Sequence, residues 1–215
     1  MRKFKTIPVL AAALLTAGLL AVSAPASGAT AGMVSVGTGL NVRSAGNDGA
    51  KIVGKLNDGA QVSIFADVNG WDKITYGGKA AWISGRYVVT GKARTVVMAA
   101  ESQLGVPYAY GASTPNKAFD CSGLTMYAYA QAGISLPHQS AAQAAYGWQV
   151  ARNSLRPGDL LFFDTNGSGK ITHCGIYIGS SRFLSAESGG GKVMEANLGS
   201  SYWSNDFVTA RRLIG

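Results

Sequence analysis

The sequence is poor in the residues that build most metal and redox sites. Its 215 residues hold two cysteines, two histidines and eleven acidic side chains, and charged residues make up only 14%. Cys121, Cys174, His138 and His173 match no zinc-ligand spacing, so neither a metal nor another cofactor is expected. Low charge beside 47% hydrophobic residues excludes a disordered chain. Six prolines against 29 glycines, about 13% where ~7% is usual, exclude collagen and a coiled coil and fit tight turns between short strands. No dense Lys/Arg run with interleaved aromatics occurs, so nucleic acid is not an expected partner.

Long apolar runs are also missing, with one exception. Arg2, Lys3 and Lys5 precede the apolar stretch Val9–Val22, which leads into small residues through Ala31. The run is short of the ~20 residues that span a bilayer. A cationic start, an apolar core and an A-x-A-like exit indicate a secretory signal peptide over residues 1–31. Ala24-Pro25-Ala26 and Ala29-Thr30-Ala31 are both acceptable cleavage sites. The mature protein is therefore expected to be soluble, secreted, free of the membrane and monomeric. Loss of the leader lowers the net charge from +8 to +5, a mild positive field suited to an anionic wall.

From residue 32 to 90 short β-like runs alternate with Gly46-Asn47-Asp48-Gly49, Asn57-Asp58-Gly59, Asn69-Gly70 and Gly77-Gly78. This texture predicts a small all-β barrel, with Trp71 and Trp82 as the large candidates for its core. From 91 to 215 the texture changes. Ala93–Leu104, Cys121–Ala132 and Ser140–Tyr146 read as helices. Asp159–Phe163, His173–Ile178, Arg182–Ala186, Lys192–Ala196 and Phe207–Leu213 read as strands, giving an α+β domain.

Two short blocks carry the chemistry. In Phe119-Asp120-Cys121-Ser122-Gly123, Asp120 is a natural N-cap. Cys121 then falls at a helix start, where unpaired N–H groups favour an anion and lower a thiol pKa. Fifty-two residues later, His173-Cys174-Gly175-Ile176-Tyr177 forms a strand that offers an imidazole. A cysteine on a helix start followed by a histidine on a later strand is the order of papain-like enzymes. Cys174 reads as a small core residue and His138 as a solvated histidine of a polar turn.

These blocks also carry resemblances. Leu40–Gly59 and Asn69–Val88 are similar to the bacterial SH3-like domain, which implies binding to cell-wall peptidoglycan; a spacer role is the alternative. Gly105–Ser140, Arg156–Phe163, His173–Gly179 and Tyr202–Leu213 together resemble the NlpC-type cell-wall cysteine peptidases. That resemblance implies a papain-like fold and hydrolysis of peptidoglycan stem peptides, usually between D-γ-glutamyl and a diamino acid. Carried over, Cys121 matches the nucleophile and His173 the base, while Tyr108, Asp120 and Ser122 match residues that line the site and bind substrate. Asp120 and Ser122 could equally serve only the helix cap. The family's third polar residue aligns with Ser185, expected to accept a bond from His173 Nδ1–H; Glu187, on the same strand face, competes for that role. Two other functions stay open: N-acetylmuramoyl-L-alanine amidase, and a wall-binding protein whose catalytic domain is vestigial.

Overall fold

The computed structural model describes residues 28–214. Most of the expected leader therefore lies outside the described residues. Strand β1 (Thr30–Val34) nonetheless begins two residues inside that segment, with Thr30 opposite Ile64 and Ala31 opposite Ser63.

The N-terminal half is a barrel of short antiparallel strands: β1, β2 (Leu40–Arg43), β3 (Ile52–Leu56), β4 (Gln61–Ile64), β5 (Ala66–Val68), β6 (Trp71–Tyr76), β7 (Lys79–Ser84) and β8 (Val88–Thr90). They form one sheet in the order β3-β2-β7-β6-β5 and another in the order β4-β1-β8. The core between them is aliphatic, built from Val34, Leu40, Val42, Ile64, Ile74, Ala81 and Ile83. The expected tryptophan core is not found. Period-2 alternation turns Asp72 and Ile74 of β6, and Ala81 and Ile83 of β7, inward. Trp71 and Trp82 take the opposite face and stay half-buried, with the loop around Gly46 against their rings.

The C-terminal half is papain-like. It runs α1 (Gly91–Glu101), β9 (Ser113–Thr114), β10 (Ala118–Phe119), α2 (Cys121–Gln131), α3 (Ser140–Gln143), β11 (Trp148–Gln149), β12 (Leu160–Phe163), β13 (His173–Gly179), β14 (Arg182–Glu187), β15 (Lys192–Asn197), α4 (Ser201–Asp206) and β16 (Phe207–Arg212). Six strands make one antiparallel sheet in the order β11-β16-β12-β13-β14-β15. Its two faces have separate cores. Leu160, Phe162, Cys174, Ile176 and Leu184 pack with Val96, Val97 and Ala100 of α1 and Ala128 and Tyr129 of α2. Leu161, Phe163 and Phe183 pack with Trp203 of α4 on the other face. Helix α4 was not legible in the sequence, because SYWSND has no apolar periodicity; the Ser200 hydroxyl accepts from Trp203 N–H and starts it. Helix α1 ends three residues sooner than expected, where the chain turns toward Gly105 at φ +83°. Among the described residues no helix is long and apolar enough to cross a membrane.

The barrel docks on the β13–β14 hairpin. The Ser35 hydroxyl donates to the Ile178 carbonyl, and the Ser180 hydroxyl donates to the Val36 carbonyl at 2.7 Å. At Gly179 (φ +98°) a Cβ would lie 2.9 Å from the Ser35 carbonyl oxygen, so the close approach requires glycine. At ~3.3 Å per residue, this contact lies roughly 20 Å along β13 from His173.

One cation serves three carboxylates at that joint. Arg182 donates to Asp58 at 2.7 Å and to Glu195 at 3.1 Å. Burial, then the Asp58 and Glu195 charges, push Glu101 up to about 7 against the pull of Arg182. A carboxyl raised on folding stabilises the fold fully below its unfolded value, and that contribution is lost as pH rises through its folded value. Glu101→Gln should therefore melt with the wild type near pH 4 and above it at pH 8. Identical pH dependence of the two melting temperatures would contradict this.

Candidate active site

Helix α2 begins at Cys121 because Asp120 caps it. Asp120 Oδ1 accepts from Gly123 N–H at 2.7 Å and from the Ser122 hydroxyl at 3.1 Å. Its Oδ2 accepts from Gly111 N–H at 2.8 Å, which ties the loop after Tyr108 to the helix tip. Gly123 lets this tip press on the loop, since a Cβ there would lie 2.1 Å from the Ala112 carbonyl oxygen. A side chain of any kind is excluded.

The helix tip meets the start of β13. The Cys121 thiol is held well below its ordinary value, and hydrogen bonding from the Cys174 thiol is the largest cause. Burial opposes it, while the hydrogen bond and charge of His173 and the Cys174 backbone N–H add to the lowering. Cys174 itself is fully buried, and burial pushes its thiol up. The negative charge therefore belongs on Cys121, which is partly exposed and has the imidazole beside it. This pairing of a nucleophilic sulfur with a base is the arrangement of covalent acyl-transfer sites.

Cys174 is thus a core residue, as expected, and also part of the site's polar floor. Its sulfur lies 3.7 Å from Thr125 Oγ1 and 3.7 Å from Gln143 Oε1. Gln143 in turn donates to the carbonyls of Ser122 at 3.0 Å and Pro137 at 2.8 Å. Only the side-by-side order His-Cys hinted at this role.

The other expected residues divide. Tyr108 is brought to the site: burial raises its phenol pKa, and the neighbouring charges of Cys121 and Asp120 raise it further. Asp120 and Ser122 sit beside the nucleophile, but both are buried and bonded to each other. His138 is an exposed residue of a bend, as expected, but it is not without a partner. Its Nε2 lies 2.9 Å from Asp120 Oδ1, completing the carboxylate's set of partners.

Ser185 departs from expectation in its bonding. Its hydroxyl is fully buried and donates to Glu187 Oε1 at 2.9 Å instead of meeting His173. The inward nitrogen of His173 is Nε2, not Nδ1, and it is buried with no hydrogen-bond partner among the described residues. The imidazole lies against Trp203, with ring centroids 5.2 Å apart, and Phe163, at 6.0 Å, which also pack on each other at 4.8 Å. Nothing in the sequence pattern singled out Trp203 or Phe163 as neighbours of the base.

The model of the NlpC/P60 family matches residues 105–212, and that of the bacterial SH3 domain matches residues 38–89. The chain belongs to the NlpC/P60 family. Gamma-DL-glutamyl hydrolase of Bacillus subtilis is 43% identical over 118 residues, which cover 54% of this chain and 28% of that protein. The bifunctional muramidase/DL-endopeptidase CwlT of the same organism is 38% identical over 55% of this chain and 36% of its own length. The chain thus spans about a third of the length of these curated relatives. The solved structure of NlpC1 from Trichomonas vaginalis superposes with a TM-score of 0.53 at 26% identity, covering 85% of this chain and 68% of that one. Its coverage extends beyond the segment matched by the NlpC/P60 model.

In this NlpC/P60 site the thiol of Cys174 stands where an alkyl group would give the sulfur no donor. Cys174→Val should move the acid limb of Cys121 alkylation by iodoacetamide to higher pH. An unchanged pH profile would contradict the role given to that thiol.

Proposed function

We propose that this protein is a secreted peptidoglycan hydrolase that cuts stem peptides at the D-γ-glutamyl–diamino acid bond through a thiolate mechanism. The observation that carries the reading is the placement of Cys121 at a capped helix tip, hydrogen-bonded to His173. The likeness of this domain to a gamma-DL-glutamyl hydrolase supports the bond.

In this reading Cys121 Sγ attacks the scissile carbonyl carbon, and the electron pair moves to the carbonyl oxygen. The Cys121 backbone N–H, unpaired at the first position of α2, helps stabilise the oxyanion. The His173 imidazolium gives its proton to the departing amine, leaving a thioester on Cys121. A water molecule then attacks the thioester with His173 as base, and the thiolate returns. Ser185 orients the imidazole, and Tyr108 walls the groove. The Asp120 carboxylate, with Ser122 and His138 on it, forms the polar end that receives the substrate's backbone or amine.

The barrel is proposed as the wall-binding part. It lies beside the far end of β13 from His173, which supports anchoring over closure of the groove. Export is proposed to follow cleavage after Ala26, because a cut after Ala31 would remove two paired residues of β1. The exported chain should then begin at Ser27; a start at Gly32 would contradict that site.

Digestion of purified cell wall tests the activity. Wild type should release fragments with a new amino terminus on the diamino acid, and Cys121→Ala should release none. A free L-alanine terminus with unsubstituted muramic acid would establish the amidase instead. Binding to the wall with no fragments released, equal in wild type and Cys121→Ala, would leave only a wall-binding role.

A further inference from the structure

His173, Ser185 and Glu187 share one face of the sheet. Ile176 pairs with Leu184 and Tyr177 with Phe183 across β13 and β14. Continuing that antiparallel register toward the start of β13 sets Ser185 opposite Gly175 and Glu187 opposite His173. Gly175 has no side chain, so nothing from its own strand stands between the Ser185 hydroxyl and the ring two residues away. Lys192 of β15 pairs with Glu187 from the other side, and Tyr202 of α4 lies within the field of its charge. Phe163, Phe183 and Trp203 make the rest of this face apolar and keep water from the ring.

When the thiolate–imidazolium pair forms, both ring nitrogens of His173 carry protons. One faces Cys121. The other, on Nε2, points into this apolar layer and needs an acceptor, because an unmet buried donor is costly. A serine hydroxyl alone is a poor acceptor for the purpose, since it rotates freely. Ser185 is not free, however. Its only proton is committed to Glu187 Oε1 at 2.9 Å, which leaves its lone pairs as the sole function it can offer a neighbour. Glu187 is half-buried, and burial raises its carboxyl pKa; the Ser185 hydrogen bond and then the His173 charge oppose that rise and favour the ionised form.

We propose that Glu187 is a positioning residue that acts through Ser185: the carboxylate fixes the hydroxyl rotor so that Ser185 Oγ accepts from His173 Nε2–H in the charged pair. Cys121, His173, Ser185 and Glu187 then form a four-membered chain. A hydroxyl and a carboxylate in series do what one amide or imidazole does in a shorter arrangement. No proton leaves Glu187 or Ser185 during turnover. The carboxylate holds the hydroxyl, and the hydroxyl holds the ring. This inference rests on the thiolate reading of the site but not on which bond is cut.

The test is a double-mutant cycle with Glu187→Leu, which keeps a similar size but has no acceptor for the Ser185 hydroxyl, and Ser185→Ala. Melting temperatures establish that each variant is folded. Two rates are read: hydrolysis of a D-γ-glutamyl-diamino acid stem peptide, and alkylation of Cys121 by iodoacetamide from pH 5 to 8. Each single variant should lower kcat roughly ten- to a hundredfold, the loss of one hydrogen bond to a charged group, with KM little changed. The alkylation rate below pH 7 should fall with it. In the Ser185→Ala background, Glu187→Leu should cost nothing more. The proposal is overturned if Glu187→Leu has its full effect without Ser185, which would mean direct contact with the ring. It is equally overturned if Glu187→Leu is silent in the wild type. If the stem peptide is not cut at all, the wall-peptide reading fails, and alkylation still decides between these outcomes.

Discussion

Everything in the C-terminal half is arranged around one electrostatic contact, between the sulfur at the tip of α2 and the imidazole at the start of β13. A thiolate is costly to bury and an imidazolium is costly to bury; next to one another each lowers the cost of the other. The fold makes this pairing possible by laying α2 across the sheet with its N-terminus over the first residues of β13. Asp120 fixes where the helix begins, Gly123 lets it approach the Ala112 carbonyl, and Gln143 ties the underside of the tip to the chain at Pro137. Together they hold the sulfur at one height above the strand.

The two faces of the sheet contribute differently to that contact. The helix-bearing face supplies the sulfur and the polar floor of Cys174, Thr125 and Gln143. The α4-bearing face supplies a dry aromatic wall of Phe163 and Trp203 against the imidazole. Low polarity there strengthens any hydrogen bond that the ring makes and penalises any it fails to make. This is why the direction of the Ser185 hydroxyl matters so much more at this position than it would at a surface. The barrel takes no part in the contact. It is pinned at the other end of the same strand by Ser35, Ser180 and Arg182.

How much of this was legible in the sequence depended on whether the determining interaction was local. The cap at Asp120 and the start of α2 could be read directly, because an N-cap and its helix lie within four residues of one another. The pairing of Cys121 with His173 joins positions 52 residues apart, so it became legible only when several blocks were read together in order. The NlpC/P60 resemblance and the α+β, papain-like architecture with its SH3-like barrel were legible for the same reason. The tryptophans of the barrel misled, since side-chain size suggests burial while strand register decides it. His138 gave no sign of its bond to Asp120, because polar turns look alike until the chain is folded. Helix α4 and its Trp203 were silent, as a short helix fixed by tertiary packing leaves no periodic trace. The inward nitrogen of His173 was misassigned because a ring's orientation follows from its neighbours in space.

The central claim is that Cys121 rests as a thiolate, held there by the Cys174 thiol and by His173. The most direct measurement is the ultraviolet absorbance of the thiolate, followed against pH as a difference from Cys121→Ser. The account predicts a thiolate signal already present well below the ordinary thiol range, and its displacement to higher pH in His173→Gln. A wild-type signal that rises only near pH 8.5, or one that His173→Gln leaves where it was, would contradict it.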